Sequence, residues 1–592
     1  MNTSSAAAAP EQASWFGHPR QLARLFTTEM WERFGYYGMR ALLTLYLTKH
    51  FLFSDSTTNG LYGGFTALVY LTPLIGGLIA DRHLGSKRSV KFGAVMMALG
   101  YFILCFGGET AKPHATIEGQ RYEVQVVNGL DRPTSTGNEV RYVLMPEGKL
   151  KVQGNEDGTV SLIKPDNSVA KTIAKGGFEA DGERSSLFTF LLLAGLSLVT
   201  VGNGFFKPNI STIVGSLYDE GDRRRDAGFT IFYMGINLGS LISQLLCPLL
   251  ADTVGWWAGF GLAAIGMLAS WALIQFDGGR LAGYGERPEG ADSRKDLLFY
   301  LGAVLALPVV WLLFSNLMHY VKPAGGEGLI DYLLSLPIMG KIMFGTFLIA
   351  VPSILIWSWR NGSRKEFQMM GAAMVLITFN TVFWTLFEQA GSSLTLFADR
   401  NTDLHITSGL SISAGQTQFF NAIFIVILAP LFSLLWNAMA KRGIEPSIPI
   451  KFGVALMGVG GGFLFLVWGS QFAGSDFKVA LWWLAGLYFI HSVAELCISP
   501  VGLSMITKLS IARIVGLMMG VWFLSISVAQ YVAGMVAQVA SVETVGGQVT
   551  NLKVSLDTYV GVFTTIGEVS IGIGAVLLAL SIVLKKWMHG VD

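Results

Sequence analysis

Ionisable side chains recur at helical spacing in an apolar stretch near the amino terminus. At about 100° per residue, Glu29, Arg33, Tyr36 and Arg40 lie within about 60° of one another on one helix face, with Glu32 beside them. We call this set the acid–base stripe. Glu29 and Arg33 have the favourable order for an ion pair, whereas Glu29 and Glu32 repel each other when both are ionised. Two carboxylates that compete for one guanidinium could take up and release a proton near neutral pH; the alternative is a charge cluster that only anchors the helix.

Three more charged residues each stand alone in a later apolar stretch: Lys207, Glu388 and Glu495. A charge in hydrocarbon is costly, so such side chains face a protein interior or a water-filled cavity. The combined set has four acids and three bases, namely Glu29, Glu32, Glu388 and Glu495 against Arg33, Arg40 and Lys207. One bound proton would neutralise this set, and a zwitterionic ligand would leave it neutral, so proton and ligand could enter together.

The composition indicates that these charges lie inside a membrane protein. The chain has 592 residues, of which 52% are hydrophobic and 14% are charged, with a mean hydropathy of +0.51. A typical soluble domain is about 25% charged. The net charge of +2 argues against a nucleic-acid binder, which needs a basic field. We interpret Cys105, Cys247 and Cys497 as small core residues, because they lie in apolar stretches without partners at metal-ligand spacing.

The apolar stretches predict fourteen transmembrane helices, since a spanning helix needs roughly 20 apolar residues. The predicted spans are 22–52, 60–80, 89–107, 186–216, 227–251, 256–276, 296–318, 333–358, 370–397, 413–439, 447–470, 477–507, 512–538 and 556–586. With the amino terminus inside the cell, basic residues cluster in the inside loops, for example at Arg223–Arg225 and at Lys585 and Lys586. We therefore expect a multi-pass protein of the cell (inner) membrane with both termini in the cytoplasm.

Residues 109–185 interrupt this pattern with a polar segment after the third predicted helix. Alternating runs at 122–127 and 140–144 are separated by turn signals at Asn128-Gly129, Pro146–Gly148 and Asp157-Gly158. This pattern predicts β-hairpins in a small extracytoplasmic insert. A flexible insert without a direct function is at least as good an interpretation as a binding role.

Several other residues could have either a functional or a structural role. Tyr36, Tyr37, Tyr70, Trp384 and Trp522 could line a pocket for apolar side chains, although isolated aromatics are more often packing residues. His491 is expected to be a structural residue outside the site. Asp399 and Arg400 could pair across an external gate or mark the membrane interface. The loop 76–88 carries Asp81, Arg82, Lys87 and Arg88 and resembles a conformational latch more than a binding site.

These motifs resemble the proton-dependent oligopeptide transporter family of the major facilitator superfamily. The segment from Glu29 to Tyr37 matches the family signature Glu-x-x-Glu-Arg-Phe-x-Tyr-Tyr. The loop from Gly76 to Arg88, which contains Asp81-Arg82, matches the pattern of the superfamily. The segment Phe232–Gly239 resembles the family's fifth-helix motif. The surroundings of Lys207, of Glu388 and of Glu495 through Gly502 are similar to the family's as well.

The resemblance implies an all-α membrane protein with the major facilitator fold, built from two six-helix bundles and two extra helices, as in bacterial members. The expected divisions are a cytoplasmic tail at 1–21, an amino-terminal bundle at 22–276 that contains the insert 109–185, a linker with two extra helices at 277–369, and a carboxy-terminal bundle at 370–592.

The resemblance also implies roles for the residues. Arg40 and Lys207 would bind a peptide carboxylate, Asn237 and Asn421 its backbone, and Glu495 its amino group. Glu29, Glu32 and Arg33 would carry proton coupling, and Lys207 would pair with Glu388 when no peptide is bound.

The expected function is therefore import of di- and tripeptides with protons by alternating access, by a monomer in the lipid bilayer that needs no cofactor or metal. Two alternatives remain: transport of another small solute such as an amino acid or nitrate, and a receptor that binds peptide without transport. An enzyme is not expected, because no nucleophile–base set or metal cluster stands out.

Overall fold

Fourteen long helices make up most of the chain in the computed structural model, which describes residues 14–127, 139–219, 222, 224–320, 328–499 and 502–591. Their bounds are α1 Gln21–Leu45, α2 Asp55–Ile79, α3 Ser86–Leu104, α4 Ser186–Ser216, α5 Arg225–Thr253, α6 Trp256–Gln275, α7 Asp296–Met318, α8 Ile338–Asn361, α9 Arg364–Phe387, α10 Phe419–Lys441, α11 Ile448–Ser470, α12 Leu481–Ile498, α13 Val515–Val539 and α14 Leu552–Trp587. Among the described residues, twelve helices are long and apolar enough to cross a membrane. The other two long helices, α1 and α3, each carry three or more charged residues and pack among the twelve.

The long helices pack as two halves, which confirms the expected major facilitator fold. Helices α1 to α6 pack against one another, and so do α9 to α14. The halves meet where α2 packs on α13 and α5 packs on α10. The extra helices α7 and α8 lie outside, with α7 against α2 and α4, and α8 against α9 and α13. The site between the halves is therefore lined by helices that belong to different halves.

Small residues allow the halves to approach closely at the contact between α2 and α13. A Cβ added to Gly63 would lie 2.7 Å from the Cα of Gly534, and one added to Gly534 would lie 2.7 Å from the carbonyl oxygen of Asn59. Close backbone approach through glycine is typical of helix packing in membranes, where lipid removes the hydrophobic driving force between helices.

Several helices begin or end away from the predicted bounds. The first span is α-helical only to Leu45 and continues as a π-helical turn at Tyr46–His50. A second π-helical turn, at Ala80–Leu84, follows α2. The ninth ends at Phe387, turns as a 3-10 helix at Glu388–Gly391 and resumes at Ser393–Asn401. The twelfth separates into α12 and Gly502–Leu509, and residues 500–501 of its motif lie outside the described residues. Hydropathy alone does not detect these breaks, because the apolar composition continues across them.

The remaining short elements lie between the long helices. The short helices are Ser293–Lys295, Leu329–Leu334, Gly415–Gln418 and Ala512–Ile514. Two-residue and three-residue strands form four small pairs: Ser14–Trp15 with His18–Pro19, Thr402–Asp403 with Val479–Ala480, His405–Thr407 with Leu410–Ser411, and Thr544–Val545 with Gln548–Val549.

The insert between α3 and α4 is a seven-stranded antiparallel sheet, as the alternating pattern predicts. Its strands are β1 Lys112–Ile117, β2 Gln120–Val127, β3 Val140–Met145, β4 Gly148–Gly154, β5 Val160–Ile163, β6 Val169–Ile173 and β7 Phe178–Glu183. They pair in the order β6-β5-β4-β3-β2-β1-β7, a meander whose last strand returns to the first. The predicted turn at Asn128-Gly129 lies outside the described residues.

The insert contacts both halves of the molecule, at the end of the bundle that we call the insert face. On its own half, Arg184 donates to the carbonyl oxygens of Phe51 and Leu52 at 3.1 Å each. Towards the other half, the hairpin between α13 and α14 buries Val545 completely in the apolar core of the sheet. Asn551 donates to the carbonyl oxygen of Gly154 at 2.8 Å. The sheet is thus a folded bridge between the halves, and the interpretation as a flexible segment is wrong for its described residues.

Buried ion pairs also join the halves at the insert face. Arg400 binds Asp55 with two parallel bonds of 2.6 Å, and the two side chains are 1% and 2% exposed. Lys49 forms an ion pair with Asp399 beside it. Asp399 and Arg400 therefore hold the insert face closed rather than only marking an interface.

Basic residues of the loop 76–88 are bound at the opposite face. Lys87 lies 3.2 Å from Asp277, and Arg88 lies 2.9 Å from Asp296. Asp277 lies in the segment after α6, and Asp296 is the first residue of α7. Lys87 and Arg88 therefore tie the linker to the first half, which agrees with a structural role.

Placing a charge at the docking contact of the insert tests the bridge. Val545→Asp would bury a carboxylate among apolar side chains at a cost of several kcal/mol, so the hairpin should separate from the sheet. We expect faster proteolysis and faster amide exchange in residues 109–185, with the helical content unchanged. Val169→Asp, the same change at an exposed strand position, is the matched control. Equal protection in the two variants would contradict the docking.

Removing one partner of the buried gate pair tests the closure. Asp55→Asn leaves the Arg400 guanidinium buried without a carboxylate, which costs roughly 3–5 kcal/mol and should open the insert face. Spin labels at Ser54 and Ser475, which are exposed on the two halves, should then give longer and broader distances. Asp557→Asn, an exposed carboxylate on the same face, should leave the distances unchanged. An unchanged distribution in Asp55→Asn would show that this pair does not hold the gate.

Candidate functional site

A cavity of about 360 Å³ lies between the halves, near the middle of the long helices. Twelve of the fourteen side chains proposed from sequence line it: Glu29, Arg33, Tyr37, Arg40, Tyr70, Lys207, Asn237, Trp384, Glu388, Asn421, Glu495 and Trp522. They come from α1, α2, α4 and α5 of the first half and from α9, α10, α12 and α13 of the second, or from the turn that follows α9. The structure thus brings together charges that are separated by hundreds of residues in sequence.

The acid–base stripe of α1 holds two carboxylates on one guanidinium. The Nε of Arg33 lies 3.2 Å from Glu29 Oε1, as the spacing predicts, and its Nη2 donates to Glu32 Oε1 at 2.8 Å. All three side chains are buried, and Glu29 Oε2 has no hydrogen-bond partner among the described residues. Glu29 borders the cavity, whereas Glu32 lies behind it. The stripe therefore presents the Glu29 carboxylate to the cavity, whereas the Glu32 carboxylate lies behind the cavity wall and is bound to Arg33.

An ion pair between Arg40 and Glu388 joins the halves at the cavity wall. Arg40 also donates through Nε to the hydroxyl of Tyr62 at 2.6 Å. Glu388 is the first residue of the 3-10 turn that ends α9, and a Cβ on Gly391 in this turn would collide with the Tyr62 hydroxyl. Glycine at this position therefore permits the approach that brings Glu388 to Arg40.

Lys207 does not form the expected ion pair with Glu388. Its Nζ lies 4.2 Å from the centre of the Tyr70 ring, a cation–π contact, and no carboxylate among the described residues lies within 4.0 Å of it. The expected pairing is corrected because the broken end of α9 directs Glu388 towards Arg40. Lys207 instead presents a cation to the cavity.

Glu495 presents an anion from the opposite half. The amide of Asn421 donates to Glu495 Oε2 at 3.1 Å and to Ser492 Oγ at 3.0 Å. Ser492 in turn donates to the carbonyl oxygen of Tyr488 at 2.7 Å, which fixes the direction of the network. No cation lies within 4.0 Å of Glu495 among the described residues. Asn421 therefore orients this carboxylate, in a position where it can meet a ligand cation.

The aromatic residues divide into lining and supporting ones. Tyr37, Tyr70, Trp384 and Trp522 line the cavity. Tyr36 does not: it is 1% exposed and packs edge-on against Tyr37, with ring centres 5.4 Å apart. A position on the stripe is thus not sufficient to reach the cavity, because the neighbouring helices cover part of this face.

Sequence reasoning missed several polar side chains of the wall. Ser240 and Gln244 follow Asn237 by three and seven residues, the spacing of one helix face, so periodicity along α5 could have identified them. The amide oxygen of Gln244 is buried without a hydrogen-bond partner among the described residues. His491 also borders the cavity, but its Nε2 lies 3.0 Å from the carbonyl oxygen of Val459, as suits a structural residue.

Comparison with known proteins shows which family the chain resembles along its length. A sequence profile described as the POT family matches residues 87–552. Dipeptide and tripeptide permease A of Escherichia coli (strain K12) is 28% identical over 569 residues, which cover 96% of this chain and 92% of the permease. Peptide transporter YePEPT of Yersinia enterocolitica subsp. palearctica serotype O:3 (strain YE-P4) is 29% identical over 545 residues, 89% of each chain.

Solved structures share the fold over nearly the whole length. A crystal structure of a peptide transporter POT in complex with sulfate superposes with a TM-score of 0.70 at 27% identity, over 98% of both chains. A mutant peptide transporter POT in complex with alafosfalin gives a TM-score of 0.70 at 26% identity, again over 98% of both chains. Because the profile covers most of the chain, this multi-pass membrane protein belongs to the POT family.

Proposed function

We propose that the protein imports di- and tripeptides together with protons, by alternating access across the cell (inner) membrane. The observation that carries the proposal is a pair of opposite charges, Lys207 and Glu495, that face one cavity from opposite halves without partners of opposite charge among the described residues. The names of the relatives, which are peptide permeases and transporters, support the same substrate class.

The charges of the cavity suit a small zwitterion. Lys207 and Arg40 can hold a carboxylate, and Arg40 can do so with two parallel bonds. Glu495, held by Asn421, can accept bonds from an ammonium group. Asn237 can bind a peptide group between them, and the aromatic wall can accept varied apolar side chains.

Binding of a carboxylate would change the contact between the halves. A peptide carboxylate at Arg40 competes with Glu388 for the same guanidinium, and this ion pair joins the halves. Release of Glu388 would leave a buried carboxylate that is costly unless it gains a proton or a new partner such as Lys207. Peptide binding and proton binding are thereby linked through one side chain, while Glu29, Glu32 and Arg33 supply a second proton-binding group.

The proposed arrangement in the membrane follows the distribution of basic loops. The insert face is outside the cytoplasm and both termini are inside, because the arginine and lysine clusters lie on the opposite face. The chain divides into a tail at 1–21, a first bundle at 22–276, a linker at 277–369 and a second bundle at 370–592, and it acts as a monomer. Because the ion pairs of the insert face join the halves there, the proposed state is one in which the cavity is closed towards the outside.

Transport of an inorganic anion such as nitrate is the less suitable alternative. Glu495 carries a negative charge into the cavity, and an anion without an amino group would be repelled by it. A receptor that does not transport would have no use for the complete acid–base stripe, which is intact here.

The proposal is tested by uptake of a labelled dipeptide into vesicles reconstituted with the pure protein. Accumulation should require an inward proton gradient and stop when a protonophore is added. Uptake that is indifferent to the gradient would contradict proton coupling, and failure of all di- and tripeptides to compete would contradict the substrate class.

Neutralising Glu32, the carboxylate of the stripe that lies behind the cavity wall, should abolish proton coupling and preserve peptide exchange. Glu32→Gln keeps the size of the side chain but cannot carry a proton, so acid-driven uptake should be lost while exchange of labelled for unlabelled peptide survives. Glu286→Gln, an exposed carboxylate, serves as the control and should retain both activities. Full acid stimulation in Glu32→Gln would rule out its coupling role.

Neutralising Glu495 should weaken recognition of the peptide amino group specifically. A hydrogen bond to a charged group contributes about 1.5–3 kcal/mol, so Glu495→Gln should lose about 10- to 100-fold in affinity for a free dipeptide. The N-acetylated dipeptide, which has no ammonium group, is the matched ligand control and should bind the variant and the parent protein alike. An equal loss for both ligands would assign Glu495 a structural role instead.

A further inference from the structure

A second cavity, of about 590 Å³, lies on the face opposite the insert, where α1 begins and α6 ends. Three arginines line it, Arg20, Arg24 and Arg280. Its other lining residues are neutral: Trp15, Gln21, Ala23, Thr27 and Leu273. The described wall therefore carries three positive charges and no negative one.

The guanidinium groups lack carboxylate partners among the described residues. No acidic side chain among the described residues forms a salt bridge with any of the three arginines, although Lys87 and Arg88 on the same face are paired. Arg24 is held in place because its Nη1 donates to the carbonyl oxygens of Leu273 at 2.6 Å and Phe276 at 3.3 Å. Its Nε is buried and has no acceptor among the described residues. One arginine of the cluster is thus fixed by the end of α6, with a donor unused.

The start of α1 adds to the same positive field. Arg20 is the N-cap residue, its side chain makes no capping bond, and the first turn contains no acidic residue. A helix amino terminus carries a partial positive charge and exposed N–H groups, which favour anions and disfavour arginine. Arg20 at the N-cap and Arg24 one turn later both add positive charge near this helix end, which an anion would offset.

Exposed aromatic residues place the cavity at the level of a membrane interface. Phe16 follows the lining residue Trp15, and the carbonyl oxygen of Phe276 accepts a bond from Arg24; the two phenylalanine side chains are 82% and 70% exposed. Trp15 lines the cavity and contacts Phe16, with ring centres 5.2 Å apart. Aromatic rings at the boundary between lipid and water are typical of membrane proteins.

We propose that this arginine cavity binds the phosphate of an anionic phospholipid. Arginine binds phosphate oxygens with paired hydrogen bonds, and basic pockets between helices on the cytoplasmic side suit acidic headgroups. A lipid fits better than free phosphate because the exposed rings beside the cavity would contact its acyl chains. The occupied site would stabilise the beginning of α1, the helix that carries the acid–base stripe.

Native mass spectrometry of the purified protein with added dioleoyl phosphatidylglycerol or dioleoyl phosphatidylcholine tests the site. The parent protein should retain phosphatidylglycerol selectively. The double variant Arg20→Gln, Arg280→Gln should bind it about 30-fold more weakly, and Arg20→Lys, Arg280→Lys should keep most of the binding. The double variant Arg82→Gln, Arg294→Gln removes two exposed arginines elsewhere and should bind like the parent.

Three results would overturn the proposal. Equal retention of the two lipids by the parent protein would exclude headgroup recognition, and this comparison needs no variant. An equal loss of binding in both glutamine variants would indicate attraction by overall charge. Inorganic phosphate that displaces the lipid from the parent protein, and binds as tightly, would assign the cavity to a soluble anion.

Discussion

The structure depends on the high cost of an unpaired charge inside an apolar bundle. Arg33 meets this constraint with two carboxylates of its own helix, and Arg40 meets it with Glu388 of the other half. Lys207 and Glu495 meet it only in part, through an aromatic ring and an amide. Under the proposed function, a ligand that supplies one charge of each sign would complete both, so the constraint that shapes the fold would also select a substrate. In the proposed mechanism, peptide and proton would therefore act as alternative partners of the same buried groups.

The contacts between the halves make the two faces of the molecule different. The bidentate pair of Asp55 with Arg400, the second pair of Lys49 with Asp399 and the docked insert all lie at one face. The Arg40–Glu388 pair lies between this closed face and the opposite one, at the cavity. Separation of Arg40 from Glu388 would therefore remove the ion pair between the halves at the cavity and leave the other two ion pairs at the closed face. The insert adds a second connection between the halves, which must release or deform when the closed face opens.

Local sequence patterns predicted the helices, the β-rich insert and the charged lining residues, whereas Asn237 and Asn421 were predicted from the resemblance to the family. Periodicity alone identified the pairing of Glu29 with Arg33. It could not identify the partner of Glu388, which depends on the break of α9 and on the close approach allowed by Gly391. Docking of Val545 into the insert was also unpredictable, since no local signal links a loop near residue 545 to strands near residue 120. Tyr36 and Glu32 lie behind the wall because neighbouring helices, not the stripe itself, decide which side chains reach the cavity.

The orientation of a bound dipeptide tests the central claim most directly, and it can be determined from a structure of the complex by electron cryo-microscopy. The account predicts a dipeptide in the central cavity with its amino group at Glu495 and its carboxylate at Lys207 or Arg40, and with the Arg40–Glu388 pair separated or lengthened. A dipeptide bound with its ends reversed, or bound outside the cavity while Lys207 and Glu495 stay unoccupied, would contradict it.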